Sequence, residues 1–260
     1  MKKPLEGKRI LITRAKEQAA SMVQAIEENG GVPVVIPVLS FEPAPLSAFE
    51  QQKLIDTFKK CEWLIFTSVN SIKYFFHFAD DAKDFLENVK IAVVGKKTRE
   101  VLKDYGFSPD LIPETYTAEA LARDLIKHEN QPQSVLIPSG QLAKPYLREK
   151  LSEAGFDVKS FVVYHTVKNQ ASSPALIKMM IHKQLDVITF TSPSSIDFFI
   201  ELLGCSNWQS LVNNKVVACI GQVTAQAARA KGIKVQVTPD HFTAKSLVDT
   251  IADYYLEESK

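Results

Sequence analysis

The stretch Thr67-Ser68-Val69-Asn70-Ser71-Ile72 occurs a second time in the chain, as Thr191-Ser192-Pro193-Ser194-Ser195-Ile196. Two further blocks return in the same order, Val94-Gly95-Lys96-Lys97-Thr98 as Ile220-Gly221-Gln222-Val223-Thr224 and Tyr116-Thr117-Ala118 as Phe242-Thr243-Ala244. All three are displaced by about 125 residues, a period too long for a solenoid, so the repeat indicates two similar domains. Such domains usually face each other across a cleft, where small ligands bind.

Short apolar runs alternate with helical patterns in both halves. Trp63-Leu64-Ile65-Phe66 and Val187-Ile188-Thr189-Phe190 are apolar or β-branched throughout, which is typical of strands buried on both faces of a parallel sheet. Each run leads into small polar residues and then a helix, an order that indicates right-handed βαβ units. The sequence therefore predicts an α/β protein with two similar doubly wound parallel-sheet domains. Two extended segments without a following helix, 34–41 and 155–166, are the predicted connectors, with a cleft between the domains.

The composition narrows the class of protein. With 45% hydrophobic and 23% charged residues, the chain has the balance of an ordinary globular protein. No run reaches the roughly 18 apolar residues of a membrane helix, and no apolar core follows the basic N-terminus, so we expect neither a membrane span nor a signal peptide. A net charge of +1 disfavours nucleic acid as a partner. Three cysteines without metal-type spacing predict reduced thiols in a cytoplasmic protein.

The candidate ligand-binding residues follow the predicted strands. In an open α/β sheet, ligands bind beyond the carboxyl ends of the strands, where helix N-termini present amides to anions. Small hydroxyl residues, glycines and cations gather at these positions in both halves: Thr13, Arg14, Thr67, Ser68, Asn70, Gly95, Lys96, Thr98, Ser139, Gly140, Lys144, Ser192, Ser194, Gly221 and Thr224. For any single hydroxyl the simpler interpretation is a helix cap. Their recurrence in both halves favours a ligand with several carboxylates or phosphates.

Several catalytic motifs are missing from the sequence. It has no glycine-rich dinucleotide or P-loop fingerprint, and no His-Glu-x-x-His or Cys-x-x-Cys metal motif. Tyr164 and Lys168 have the spacing used by short-chain dehydrogenases, but on a predicted strand they stand roughly 13 Å apart and cannot cooperate. Tyr164 by itself has two interpretations. It is either a phenol that donates a proton to a leaving hydroxyl or bonds to a substrate carboxylate, or a strand tyrosine with its ring in the core and its oxygen at the rim.

Short segments along nearly the whole chain form an ordered set, each weak alone and specific together: Leu11-Ile12-Thr13-Arg14, Ile65-Phe66-Thr67-Ser68-Val69-Asn70, Val93-Val94-Gly95-Lys96-Lys97-Thr98, Tyr116-Thr117-Ala118-Glu119-Ala120-Leu121, Val163-Tyr164-His165-Thr166, Phe190-Thr191-Ser192-Pro193-Ser194 and Ile220-Gly221-Gln222-Val223-Thr224-Ala225. In these segments and their order the chain resembles the uroporphyrinogen-III synthases. Two positions depart from the family's pattern. Ser139 stands where many members have an arginine, and Val223 replaces the first of two threonines, so only Thr224 is carried over.

The resemblance implies an enzyme without cofactor or metal that closes the linear tetrapyrrole hydroxymethylbilane into uroporphyrinogen III, losing water and inverting ring D. It implies Tyr164 as the acid for loss of the hydroxyl, with catalysis resting mainly on holding the bilane folded. It also implies a discontinuous first domain, 1–38 with 168–260, a second domain, 42–164, and connectors at 39–41 and 165–167. The expected partners are the bilane, with its eight carboxylates, and transiently the enzyme that makes it, but neither nucleic acid nor a membrane.

Two other classes of protein compete with this interpretation. A non-catalytic two-lobed module for a small polyanion would use the same strand ends and would bind without turnover. A nucleotide-dependent oxidoreductase is disfavoured because the glycine fingerprint is missing.

Overall fold

The computed structural model describes residues 3–182 and 184–258, except the side chains of residues 81–83. Its strands are β1 (Arg9–Ile12), β2 (Val32–Val35), β3 (Leu39–Pro43), β4 (Trp63–Phe66), β5 (Lys90–Val93), β6 (Ser134–Gly140), β7 (Asp157–Lys168), β8 (Val187–Phe190) and β9 (Val216–Cys219). Its α-helices are α1 (Ala20–Glu28), α2 (Ala48–Phe58), α3 (Val69–Ala79), α4 (Lys96–Asp104), α5 (Ala118–His128), α6 (Tyr146–Glu153), α7 (Ser173–Ile181), α8 (Pro193–Leu203), α9 (Trp208–Val212), α10 (Gln222–Ala230) and α11 (Ala244–Glu258). Short 3-10 helices occupy Lys16–Gln18, Asp80–Asn88 and Gln170–Ser172.

The chain divides into two compact units. The central unit is Phe41–Thr166, and the terminal unit combines the chain up to Ser40 with the chain from Val167 onward. Both crossings between units lie inside regular strands, because β3 contains the first and β7 contains the second. The crossing segments, expected as plain extended connectors, are therefore hydrogen-bonded parts of a sheet. β3 and β7 are neighbours in it.

The terminal unit contains a parallel four-stranded sheet with the order β2-β1-β8-β9. β1 and β8 are neighbours although about 175 residues separate them, which is why this unit is discontinuous. Alternate side chains of β1 enter different cores. Leu11 packs in a cluster with Phe190 and Phe199, and Ile10 and Ile12 pack in a second cluster on the other face. Helices thus cover both faces of the sheet, as the unbroken apolar runs predict.

The central unit contains a five-stranded sheet with the order β3-β7-β6-β4-β5. The β7-β6, β6-β4 and β4-β5 pairs are parallel. Leu64 and Phe66 of β4 point into one core, whereas Trp63 and Ile65 point into another. All four side chains are fully buried, and burial of each contributes roughly 1.5–3 kcal/mol to the free energy of unfolding. Both units are therefore doubly wound α/β folds, and the fold-class prediction is confirmed at this level.

Gly30 and Gly155 stand 125 residues apart, the same displacement as the repeated blocks, and each lies just after a helix. Both glycines follow a helix, α1 and α6 respectively, and both have a left-handed backbone with φ of +84° and +92°. A residue with a Cβ would be strained in this conformation. The repeat therefore marks equivalent helix ends in the two units. Among the described residues, no helix combines the length and the apolar character that a membrane crossing requires.

Candidate active site at the strand ends

The serine of each repeated Thr-Ser block caps the helix that follows it. Ser68 precedes α3, and its hydroxyl accepts the Ser71 N–H at 3.1 Å while the Ser71 hydroxyl accepts the Ser68 N–H at 3.2 Å. Ser192 precedes α8 and forms the same reciprocal pair with Ser195 at 3.2 and 3.3 Å. Both hydroxyls are thus used within their own helix, as the simpler interpretation requires.

The neighbouring polar residues at these two ends remain available to a ligand. Thr67 and Asn70 at the first end and Ser194 at the second are all half-buried. Ser194 also lies within 3.0 Å of the Ser192 hydroxyl. Predicted contacts through the Ser68 and Ser192 side chains would have to compete with the caps.

Glycine begins a second helix in each unit. Gly95 and Gly221 are the N-cap residues of α4 and α10, with extended backbones and no side-chain cap on either helix. The first amides of these helices are consequently not covered by a capping side chain. Of the predicted residues here, Lys96 is exposed, but Thr98 and Thr224 are buried within their units. The structure therefore corrects the prediction for these two threonine side chains, which point into the core.

An exposed aromatic ring lies against each of these glycines. A Cβ added to Gly95 would meet Tyr116 at 3.4 Å, and one added to Gly221 would meet Phe242 at 3.0 Å. Tyr116 is 48% exposed and Phe242 is 66% exposed, so both rings are accessible from solvent. The sequence carried the signal, since both rings belong to the third repeated block, but neither residue was among the predicted contacts.

Thr13 and Arg14 follow β1 in the terminal unit and have different environments. Thr13 is fully buried, and its hydroxyl donates to the Thr189 carbonyl at 2.6 Å, so its side chain is a sheet contact rather than the predicted ligand contact. The Arg14 guanidinium donates to Gln18 at 3.1 Å, but its buried Nε has no hydrogen-bond partner among the described residues. Burial lowers the pKa of Arg14, as expected for a cation that water solvates poorly.

Tyr164 lies on β7 in an aromatic setting in the central unit. Its ring stacks on Tyr74 at 5.5 Å between centroids and meets the edge of Phe41 at 5.8 Å. The Tyr74 hydroxyl donates to the Phe41 carbonyl at 2.7 Å, which ties these neighbours together. The Tyr164 ring also belongs to the rim of the core that contains Phe66. Among the described residues, no hydrogen bond engages the Tyr164 hydroxyl, so both features considered from the sequence, a packed ring and a free phenol, occur together.

A cavity of about 220 Å³ lies at the carboxyl end of β6. It brings together four of the predicted residues, Thr67, Ser139, Gly140 and Lys144. Its walls also include residues that the sequence did not single out: Ile137, Gln141, Ala143, Pro145, Leu147, Arg148, Ser160 and Val162. Ser160 and Arg148 are remote from the repeated blocks, and only the pairing of β6 with β7 and the packing of α6 bring them to this place.

A larger cavity of about 490 Å³ lies elsewhere in the central unit. Its walls come from one face of α2, including Phe49, and from the amino ends of β6 and β7. It is therefore at the opposite edge of the sheet from the helix N-termini. Lysines and aspartates mix on its walls, and Lys159 pairs with Asp157 at 2.8 Å. Size alone does not mark it as the ligand site, because ligands of open α/β sheets bind beyond the carboxyl ends of strands.

These features define a class of protein: a doubly wound α/β protein of two similar units, each with uncapped helix amides at strand ends. Residues 20–249 match the family described as uroporphyrinogen-III synthase HemD. The chain belongs to this family. It is 31% identical over 251 residues to the uroporphyrinogen-III synthase of Chlorobaculum parvum, with 95% of this chain and 98% of that protein covered.

Two further comparisons agree with this assignment. The porphyrin biosynthesis protein HemD of Ruminiclostridium josui is 30% identical over 264 residues, and the chain spans 50% of its length. In structure, the chain is similar to the uroporphyrinogen-III synthetase of Helicobacter pylori, with a TM-score of 0.63, 16% identity, and coverage of 95% of this chain and 99% of that one. At this identity the structural similarity supports the fold alone.

Proposed function

We propose that the protein converts the linear tetrapyrrole hydroxymethylbilane into uroporphyrinogen III, losing water and inverting ring D. The family match over residues 20–249 is the observation that carries this proposal. The strand ends support it, because an eight-carboxylate chain requires many donors and the glycine-capped starts of α4 and α10 offer amides without a side-chain cap. The proposed reaction draws on no cofactor.

The proposed chemistry begins with loss of the bilane hydroxyl. The Tyr164 phenol donates its proton to that hydroxyl, the carbon–oxygen bond breaks, and water departs. The cationic carbon is attacked by the substituted carbon of ring D, which gives a spiro intermediate. The bond from ring D to its neighbour then breaks and re-forms at the other side of the ring, and a proton is lost, so the Tyr164 phenolate is reprotonated. Its free hydroxyl and its ring, held by Tyr74, suit this role.

Selectivity is the harder task in this reaction, since the bilane closes readily by itself to the isomer in which ring D is not inverted. We therefore assign most of the catalytic effect to the conformation in which the bilane is held. Positioning of reacting groups contributes up to about 7–11 kcal/mol in favourable cases. In this scheme the amides, cations and exposed rings at the strand ends determine the product, and Tyr164 adds a smaller acceleration.

The proposal extends to the setting of the enzyme. The three cysteines are free thiols, and Cys61 and Cys219 are buried, which supports a reducing, cytoplasmic location. The bilane is unstable, so we propose a transient encounter with the enzyme that releases it.

The decisive experiment supplies purified protein with hydroxymethylbilane generated in situ and separates the product isomers after oxidation. We expect the type III isomer in excess over a reaction without the protein. Exclusive formation of the type I isomer, at the uncatalysed rate, would refute the enzyme proposal. Saturable binding of the tetrapyrrole without turnover would instead identify the protein as a non-catalytic polyanion-binding module.

A further inference from the structure

The cavity beyond β6, defined above by its twelve wall residues, is lined by positively charged residues without negatively charged ones. Lys144 and Arg148 lie on its walls, and no aspartate or glutamate of the described residues joins them there. Within the described chain, neither cation has a carboxylate within 4.0 Å. By contrast, Lys150, which lies on α6 together with Arg148, pairs with Glu153 at 2.6 Å. Two unpaired cations around one concavity repel each other unless an anion lies between them.

The neutral part of the cavity also favours an anion. α6 begins at its wall, and the N-cap residue of this helix, Pro145, provides no side-chain cap. The positive end of the helix dipole and its first amides therefore add to the two cations. Two hydroxyls complete the lining. Ser139 is 7% exposed, and its Oγ lies 3.4 Å from both the Ser160 Oγ and the Phe161 carbonyl, at the long limit of hydrogen bonding.

The dimensions of the cavity suit a short acidic side chain. Its volume of about 220 Å³ exceeds that of a carboxylate group, which leaves space for the aliphatic link to a larger body outside. Ile137, Leu147 and Val162 supply apolar wall on which methylene groups would pack. A guanidinium and an ammonium in one lining can each donate to a carboxylate oxygen.

We infer that this cavity is a specificity subsite that binds one carboxylate side chain of the substrate, with Arg148 and Lys144 as its charged contacts and the hydroxyls of Ser139 and Ser160 in its lining. The inference rests on the proposed function for the identity of the ligand. It assigns a role to Arg148 and Ser160. In this subsite Arg148 and Lys144 supply positive charge at the end of β6, where Ser139 stands in place of the arginine of many family members.

The test compares three charge-removing variants of matched type. Arg148→Gln and Lys144→Gln remove cavity cations, and Lys150→Gln removes a cation from the same helix outside the cavity. We expect KM for hydroxymethylbilane to rise about tenfold in each cavity variant with kcat unchanged within about twofold, because the contact is present in both the bound substrate and the transition state. Lys150→Gln should behave like the parent protein. Arg148→Glu should raise KM further, by about a hundredfold.

A fifth variant tests occupancy of the cavity without changing its charge. Ser160→Leu fills the cavity from the strand and should raise KM while leaving the thermal unfolding midpoint near that of the parent. Binding of uroporphyrinogen III under anaerobic conditions, measured by equilibrium dialysis, should weaken in parallel for the cavity variants and not for Lys150→Gln.

The outcomes separate this inference from the proposed function. Cavity variants with the same KM and the same product affinity as Lys150→Gln would overturn the subsite, even if the protein is an active synthase. A fall in kcat without a change in KM would also overturn it. An inactive parent protein would refute the proposed function, and the dialysis comparison would still decide the subsite. Because Lys144 lies in a loop before α6, its variant serves if Arg148→Gln fails to fold.

Discussion

The backbone of Gly140 lies directly against the ring of Tyr164, and a Cβ built on Gly140 would approach the Tyr164 Cζ to 2.5 Å and its hydroxyl oxygen to 2.8 Å. The two residues are register partners, since Gly140 at the end of β6 pairs with Tyr164 on β7 after a shift in the register. Glycine at position 140 is therefore a requirement of close approach. It connects the cavity beyond β6 to the proposed catalytic phenol.

Gly140→Ala should displace the Tyr164 ring. The ring is held between Tyr74 and Phe41, so it cannot move freely, and we expect a loss of about 1–3 kcal/mol in the free energy of unfolding. Urea unfolding measures this loss. Combining the change with Tyr164→Leu should recover part of the cost, because the clash then disappears. Additive effects of the two changes would show that the contact between them is not the cause.

Tyr164→Phe separates the phenol from the ring. The stack on Tyr74 and the edge contact with Phe41 need only the ring, so the thermal midpoint should stay unchanged. Turnover should fall by about tenfold, because a water molecule replaces the acid imperfectly. Tyr164→Leu, which also removes the ring contacts, should reduce stability as well. Parent-level turnover in the phenylalanine variant would limit Tyr164 to a packing role.

The glycines that begin α4 and α10 should respond differently to alanine. Both changes lose a favourable N-cap, at a cost of about 1 kcal/mol. Gly221→Ala also places a methyl group 3.0 Å from the Phe242 ring, compared with 3.4 Å between Gly95 and Tyr116. We expect the larger loss of bilane affinity from Gly221→Ala, measured as KM. Phe242→Ala in the same chain removes the ring contact, so adding Gly221→Ala should then cost only the N-cap and should raise KM no more than Gly95→Ala does. Equal KM values for the two single variants would argue against the role of the ring contact.

Stability should fall steeply above pH 9. Burial raises the pKa of the Cys61 and Cys219 thiols from 9.0 to about 12. Between these values the unfolded chain loses the thiol protons and the folded chain keeps them, so each thiol lowers the free energy of unfolding by about 1.4 kcal/mol per pH unit. Below pH 9 both states are protonated, and these thiols give no pH dependence.

The thiol contribution is measured as the slope of unfolding free energy against pH between 9 and 11. Cys61→Ala and Cys219→Ala should each make this slope shallower, in addition to any pH-independent cost of the cavity they create. Cys205→Ala is the control, because Cys205 is only partly buried. An unchanged slope in both buried variants would contradict the assignment.

Local sequence patterns were sufficient to predict most of the fold. The run Trp63-Leu64-Ile65-Phe66 is β4 residue for residue, and the run Val187-Ile188-Thr189-Phe190 is β8. Four-residue apolar runs indicate buried parallel strands because side chains on both faces need apolar neighbours. The repeat extended this information from one unit to the other, and equivalent helix starts at Ser68 and Ser192 have the same capping geometry.

Only part of the candidate site could be predicted from these local patterns. Sequence placed residues at strand ends, but the direction of each side chain depends on its position on a helix or strand and on the layer above it. Thr13, Thr98 and Thr224 follow strands as predicted, yet their side chains are buried. Arg148 and Ser160 belong to none of the sequence motifs. They lie near Ser139 because segments that are remote in sequence pair and pack there.

The amino-acid sequence by itself determined the strands, the helix starts and the duplicated architecture, because those follow from local apolar periodicity and from self-similarity. Tertiary structure alone decided which hydroxyls are caps, which face the core, and which cations remain without a counter-charge. The physical reason is that burial and pairing depend on neighbours supplied by distant segments. Gly140 and Tyr164 illustrate the difference: each is an ordinary residue in the sequence, and only the register of β6 on β7 makes one necessary to the other.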